Sequence, residues 1–239
     1  MAIITFQHSD HCLPLRLGDA VRSRGQVLQF VQPHKGQAPP VKLDNVDGVI
    51  SLGGPQNVDE PEEWMQAEMQ FMRKAMDAGR PVIGICLGAQ LLAAAFGGEI
   101  APMPRMEIGL PEMTLTFPGT VDPLFSGIGW KTRMFQMHGR EISKLPPGAA
   151  PLASTELCKT QAFVISSLAY GFQFHFEATR ETMKTWIEQS PEHLTSAGMT
   201  REEYDQQCDT YYESFSRIAD RLCNNICSYL IPTEKRRTA

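Results

Sequence analysis

The chain has 239 residues, 42% hydrophobic and 21% charged, the composition of a globular protein that can bury a sizeable core and not of a disordered chain. Its formal net charge of -5 gives no general attraction to phosphate backbones or anionic lipid, so neither nucleic acid nor membrane is an expected partner. No apolar run approaches the ~20 residues that span a bilayer, the start lacks a secretion signal, and six irregularly spaced cysteines make no disulfide scaffold; the expected compartment is the cytoplasm.

Ala2-Ile3-Ile4-Thr5-Phe6 is a short β-branched run of the kind that becomes a buried strand. A helix is expected from Pro14 to Gly25, its apolar face made by Leu15, Leu17, Ala20 and Val21, and a second strand at Val27-Leu28-Gln29-Phe30-Val31. The prolines between Pro33 and Pro40 mark a loop. Gly48-Val49-Ile50-Ser51-Leu52 then runs as a strand into the turn Gly53-Gly54-Pro55. Between Pro61 and Ala78, Trp64, Met65, Met69, Met72 and Met76 recur at helical spacing, a stripe read as core packing. Pro81-Val82-Ile83-Gly84-Ile85 is the next strand, followed by a buried helix from Leu87 to Phe96.

This alternation predicts an α/β fold, a three-layer, mostly parallel sheet with helices on both faces. The middle section, about Glu99 to Pro147, is dense in Pro and Gly and carries one strand-like run, Met113-Thr114-Leu115-Thr116-Phe117, suited to an antiparallel extension. Further strands are expected at Ala162 to Ile165 and Tyr170 to Phe174, and helices at Thr179 to Gln189 and Thr200 to Leu230, with Pro191 and Gly198 in the loop between them. With no linker of the Gly/Ser-rich kind, residues 1–239 read as a single domain, a catalytic core over about 1–190 and a helical extension over about 191–231 packed on it. Within that extension Tyr204, Tyr211, Tyr212 and Phe215 read as internal packing. Cys223 and Cys227, four apart, read as small apolar side chains and not as a metal site. The run Lys235-Arg236-Arg237 reads as a solvated tail.

The most informative stretch is Gly84-Ile85-Cys86-Leu87-Gly88-Ala89-Gln90, where a buried strand hands over to a buried helix. At such a turn the middle residue is strained and its side chain projects above the sheet edge, while small neighbours let strand and helix approach. The helix N-terminus also favours thiolate over thiol, so Cys86 is a candidate nucleophile. Acyl chemistry then needs a base, a group to orient it, and donors for the oxyanion. In Gly171-Phe172-Gln173-Phe174-His175-Phe176-Glu177, His175 and Glu177 are two apart and can emerge on one side at the end of a strand, imidazole as base and carboxylate as its anchor. Freed N–H groups around Gly53 and Gly54, with that of Leu87, can serve the oxyanion.

Gly53-Gly54-Pro55, the Cys86 stretch, His138-Gly139 and His175-Phe176-Glu177, in this order, resemble the class I (triad-type) glutamine amidotransferases, especially stand-alone members similar to the glutaminase domain of GMP synthase. The likeness runs from about Val46 to Thr179. It implies a thioester at Cys86, a triad completed by His175 and Glu177, oxyanion donors at Gly54 and Leu87, a glutamine contact at Gln90, and a backbone contact to the substrate carboxylate from Met137-His138-Gly139. His138 reads as structural and not as the base. Two residues depart from the family pattern: Arg140 stands where an aspartate is common, and Phe176 where a proline is.

The resemblance further implies hydrolysis of glutamine to glutamate and ammonia with no cofactor and no metal. The chain has no Gly-x-x-x-x-Gly-Lys-Ser/Thr loop, so a synthase that accepts the ammonia is expected on another protein. A γ-glutamyl peptidase would use the same triad on other γ-glutamyl compounds, and a non-catalytic regulatory subunit would keep the fold; the complete triad stands against the latter.

Overall fold

The computed structural model describes residues 2–231; the basic run at Lys235 lies outside them. Among the described residues, eleven strands and seven helices alternate as β1 Ala2–Phe6, α1 Leu15–Ser23, β2 Leu28–Val31, β3 Val46–Ser51, α2 Glu63–Asp77, β4 Val82–Ile85, α3 Leu87–Ala95, β5 Glu99–Gly109, β6 Glu112–Leu115, α4 Phe117–Val121, β7 Lys131–Arg133, β8 Gln136–Lys144, β9 Ala150–Ser154, β10 Ala162–Ile165, β11 Ala169–Phe172, α5 Arg180–Gln189, α6 Glu192–Ala197 and α7 Arg201–Asn225. A π-helical turn, Ile226–Leu230, continues α7.

Nine strands form one sheet in the order β2-β1-β3-β4-β11-β10-β9-β6-β7. The sheet is mixed: β2, β1, β3, β4 and β11 pair in parallel, and β11, β10, β9, β6 and β7 pair antiparallel. In the parallel half α1 crosses from β1 to β2 and α2 from β3 to β4, while short loops join β9, β10 and β11 in the antiparallel half.

Successive strand residues face opposite sides, and the core divides accordingly. Ile3, Ile50 and Ile83 pack with α1, α5 and α7, whereas Ile4, Val49 and Val82 pack with α2 and α3. Each such aliphatic side chain, fully buried, contributes about 1.5–3 kcal/mol. The methionine stripe of α2 belongs to the second of these cores, with Met65, Met69 and Met72 buried.

The sequence expectations need correction in the middle of the chain. β5 and β8 form a separate two-stranded antiparallel sheet that the Pro/Gly density concealed; Pro102 lies in β5, and the register shifts between Pro102 and Glu107, the setting in which a two-stranded ribbon tolerates proline. The expected strand at Met113 stops at Leu115, and Phe117 instead opens α4 behind a Thr116 cap whose hydroxyl accepts from Gly119 N–H. The loop expected between the last two helices contains α6. Finally, β11 ends at Phe172, so His175 lies in the bend beyond it and not on the strand.

Candidate functional site

β3, β4 and β11 are adjacent and parallel, so their carboxyl ends open on one edge of the sheet, where α/β proteins place their sites. β4 ends in Cys86, the N-cap of α3, with φ 52 and ψ -109, a backbone conformation that side-chain-bearing residues rarely hold. The approach of α3 to the sheet makes this turn possible. A Cβ on Gly88 would stand 2.1 Å from Ser51 O, and one on Gly84 would stand 2.4 Å from Gly88 O. Cys86 N–H donates to Phe172 O at 2.8 Å, which ties the turn to β11.

Because β11 runs alongside β4, the chain leaving Phe172 arrives beside the cysteine. His175 N–H donates to Phe135 O at 2.8 Å, and its ring meets Trp186 edge-on at 5.0 Å between centroids. His175 Nδ1 and Glu177 Oε1 are 2.7 Å apart, and Cys86 lies near enough to the same imidazole to favour its charged form. A Cβ on Gly53 would stand 3.0 Å from His175 Cε1 and 3.6 Å from Cys86 Cβ, so cysteine and histidine converge over this glycine. Burial opposes a charge on His175, but the Glu177 carboxylate, which also accepts its hydrogen bond, and the neighbouring Cys86 outweigh it and hold the imidazolium well above the ordinary histidine range.

The turn bearing Glu177 is braced by two helices. Arg16 of α1 donates from its N–H to Glu177 O and from Nε to Ala178 O, at 3.3 and 3.0 Å. Its Nη2 also reaches the hydroxyl of Tyr212 on α7 at 2.6 Å. Tyr204 and Phe215 are fully buried, so α7 is joined to the body of the protein by its aromatic residues. Phe176 packs edge-on against Phe172 at 5.0 Å, and the position where proline is common therefore serves the core here.

Gly54, Leu87, Gln90, Met137, His138 and Gly139 line, with Cys86, a cavity of about 490 Å³. His138 is held by Glu107 Oε2 at 3.1 Å and Arg140 O at 2.9 Å. Gln90 directs its amide N–H groups to Gln173 Oε1 at 3.0 Å and Arg140 O at 3.4 Å. Arg140 itself forms an ion pair with Asp59 at 3.0 Å, joining β8 to the loop that follows Gly53-Gly54-Pro55 on the cavity rim. A larger cavity of about 1100 Å³ between β5, β6 and α7 holds none of Cys86, His175 and Glu177.

Neither Gly54 N–H nor Leu87 N–H has a hydrogen-bond partner among the described residues. Cys223 and Cys227 are buried, with burial raising both thiols, Cys227 to about 11. No group of three or more His, Cys, Asp or Glu among the described residues could hold a metal ion, and no helix there is long and apolar enough to cross a membrane.

Three residues at the site escaped the sequence reading. Gln173 is fully buried with Nε2 3.6 Å from Cys86 Sγ; its signal was a lone amide in an otherwise aromatic run. Trp186 was one apolar position in a helix, and only the fold brings it to His175. His8, near the end of β1, gave no motif at all.

The chain belongs to the class-I glutamine amidotransferase family, whose profile matches residues 16–190. The glutamine amidotransferase-like protein YfeJ of Salmonella typhimurium is 33% identical over 179 residues, 73% of this chain and 74% of that protein. A glutamine-hydrolyzing GMP synthase subunit from Pyrococcus abyssi is 34% identical over 140 residues, 57% of this chain and 69% of that one. The crystal structure of a glutamine amidotransferase from Methylobacillus flagellatus superposes with a TM-score of 0.86 at 26% identity, covering 96% of this chain and 95% of that one. Against three longer GMP synthases the matched segment spans only 25% to 28% of their length.

Proposed function

We propose that this protein hydrolyses the side-chain amide of glutamine to glutamate and ammonia through a thioester on Cys86. The observation that carries the reading is the strained Cys86 at the helix N-cap converging over Gly53 with an imidazole that Glu177 anchors at 2.7 Å.

The thiolate attacks the amide carbon, and the carbonyl oxygen takes up the electron pair and lies against the unpaired N–H groups of Gly54 and Leu87. The His175 imidazolium gives its proton to the departing nitrogen, ammonia leaves, and the carbonyl reforms as a γ-glutamyl thioester. Neutral His175 then takes a proton from water, whose oxygen attacks the thioester; the sulfur leaves as thiolate and glutamate is released. Glu177 keeps the imidazole in the required orientation throughout. Gln90 and the Met137-His138-Gly139 segment bind the substrate, and no step requires a metal or cofactor.

The two cores flanking the sheet support a three-layer arrangement, and the packing of α7 supports a single domain with its helical extension. That the Pyrococcus relative is named as one subunit of a synthase supports passage of the ammonia to a synthase on a separate protein, with the cytoplasm as the compartment. The Arg140 to Asp59 ion pair on the cavity rim favours a second substrate class, γ-glutamyl compounds other than glutamine, because the rim differs where an aspartate is common. Purified full-length protein assayed with glutamine and with γ-glutamyl peptides decides between the two classes. Turnover of either, lost in Cys86→Ala, is expected; turnover of neither, with Cys86 resistant to alkylation by an electrophilic glutamine analogue, would leave a non-catalytic role.

A further inference from the structure

Against Gly53 and Gly54, and outside the lining of the cavity, lies a polar cluster that the triad does not use. His8, Ser51 and Glu68 are each fully buried. His8 Nδ1 lies 3.0 Å from Leu52 O and 3.3 Å from Gly53 O, so this nitrogen carries a proton and donates to both carbonyls. His8 Nε2 faces Glu68 Oε2 at 2.9 Å, and the other oxygen of Glu68 accepts from Ser51 Oγ at 2.6 Å. Trp64 stacks on the imidazole at 5.0 Å between centroids, with an interplanar angle of 22°. Burying three polar side chains together is costly unless each is satisfied, and here the bonds run in a chain from Ser51 through Glu68 to His8, which ends on the Leu52 and Gly53 carbonyls.

We propose that His8, held by Glu68 and Ser51, is a positioning residue that fixes the Gly53–Gly54 peptide so that the Gly54 N–H faces Cys86. The peptide is trans, as are all those among the described residues. In a trans peptide the carbonyl and the N–H point in opposite directions. With Gly53 O drawn to His8, the Gly54 N–H is turned away from the imidazole, toward the cavity that Gly54 and Cys86 both line. Two consecutive glycines leave the peptide otherwise free to rotate, since neither bears a Cβ to restrict it. A Cβ on Gly54 would in any case stand 2.7 Å from His8 Cβ, so the His8 side chain starts in direct contact with this glycine. The oxyanion donor is therefore oriented by a histidine outside the triad, and this rests on the amide-hydrolase reading given above.

Two isosteres separate the halves of the imidazole. The amide nitrogen of asparagine can occupy the place of Nδ1 and still donate to the carbonyls; that of glutamine reaches the place of Nε2 and meets only Glu68. With the full-length protein and whichever of glutamine or a γ-glutamyl peptide it turns over, His8→Gln is expected to lower kcat about 10- to 100-fold with KM changed less than about threefold, whereas His8→Asn stays within about threefold of wild type. Crystal structures of both variants should show the Gly53–Gly54 peptide rotated in His8→Gln alone. Wild-type kcat in a folded His8→Gln, equal loss in both variants, or an unrotated peptide in His8→Gln would each overturn the proposal. Should His8→Gln fail to fold, Glu68→Gln serves in its place: lower kcat at unchanged KM is expected, and wild-type kcat overturns. A wild type that turns over no substrate refutes the hydrolase reading instead, and the peptide's orientation in the variant structures still tests the role of His8.

Discussion

Cys86 holds a backbone conformation, φ 52 and ψ -109, that costs a side-chain-bearing residue about 1–3 kcal/mol and is maintained only because its surroundings fix it. The strain aims the sulfur above the sheet edge. It also reverses the usual order of small residues: with no Cβ to clash, glycine fits this position better than alanine. Cys86→Gly is therefore expected to be more stable than Cys86→Ala by about 1 kcal/mol in urea unfolding, with turnover abolished in both; a more stable alanine variant would show that the turn is unstrained. At His175 burial opposes the charge, yet Glu177, with its hydrogen bond, and the neighbouring Cys86 raise its pKa well above the ordinary 6.5. The folded state thus binds a proton that the unfolded state has released between the unfolded and the folded pKa, so this contribution to stability is complete below about pH 6.5 and is lost as pH rises through the folded value. Glu177→Gln removes the largest of the raising causes. Its melting temperature is expected to fall furthest below wild type at pH 6 and to approach it as the solution becomes alkaline; a pH-independent gap would contradict the charged pair.

At the scale of elements, α3 is placed by what its first turn lacks. Gly88 lies so close to Ser51 that a methyl group would overlap the main chain, at 2.1 Å from its oxygen. Gly88→Ala should therefore displace the helix N-terminus, destabilising the fold by about 2–4 kcal/mol and slowing turnover through the misplaced Leu87 N–H, while Ala93→Gly, a routine cost of about 1 kcal/mol in a helix interior, should leave turnover nearly unchanged. Equal effects on turnover would mean that the close approach is incidental. These glycines and the cysteine between them were legible because they are adjacent in the chain and sit where strand periodicity gives way to a helix. The parallel half of the sheet was legible for a related reason, since its strands are short apolar runs and helices follow β1, β3 and β4. The β5 and β8 ribbon was not, because Pro102 and Pro104 interrupt the one strand and polar residues such as Gln136, Arg140 and Lys144 dominate the other. His175 was read as the end of a strand because apolar residues up to Phe174 precede it; in the fold Phe172, Phe174 and Phe176 pack edge-on against one another around a bend, where alternation arises from aromatic packing and not from pleating. Gln173 and His8 escaped because a single buried amide or imidazole carries no periodicity, and its partners lie 87 and 60 positions away.

Across the whole molecule, the family profile ends at residue 190, but the core does not. Tyr204, Phe215, Leu222 and Ile226 are fully buried in the same core as Ile3, Ile50 and Ile83 of the sheet. The hydroxyl of Tyr204 donates to Met183 O at 3.1 Å, and that of Tyr212 accepts from Arg180 N–H at 2.9 Å. Removing α6 and α7 would expose the sheet face against which these side chains rest. At about 1.5–3 kcal/mol for each large apolar side chain, four alone account for on the order of 6–12 kcal/mol, comparable to the about 5–15 kcal/mol by which a whole domain is stable. A chain cut after residue 190 keeps Cys86, His175 and Glu177 but loses Tyr212, to whose hydroxyl Arg16, the brace on the turn of Glu177, is bonded. Such a fragment is expected to aggregate or to lack a cooperative melting transition in circular dichroism. If it instead melted cooperatively near the temperature of the full chain, residues 1–190 would be an independent unit and the helices a separable attachment. Tyr212→Phe in the full chain then distinguishes support of the fold from support of the triad: the ring and its stacking beneath Arg180, 4.4 Å from its centroid, remain, only the hydroxyl is lost, and a fall in kcat of a fewfold or more at nearly unchanged stability would place the effect of α7 at the turn that carries Glu177.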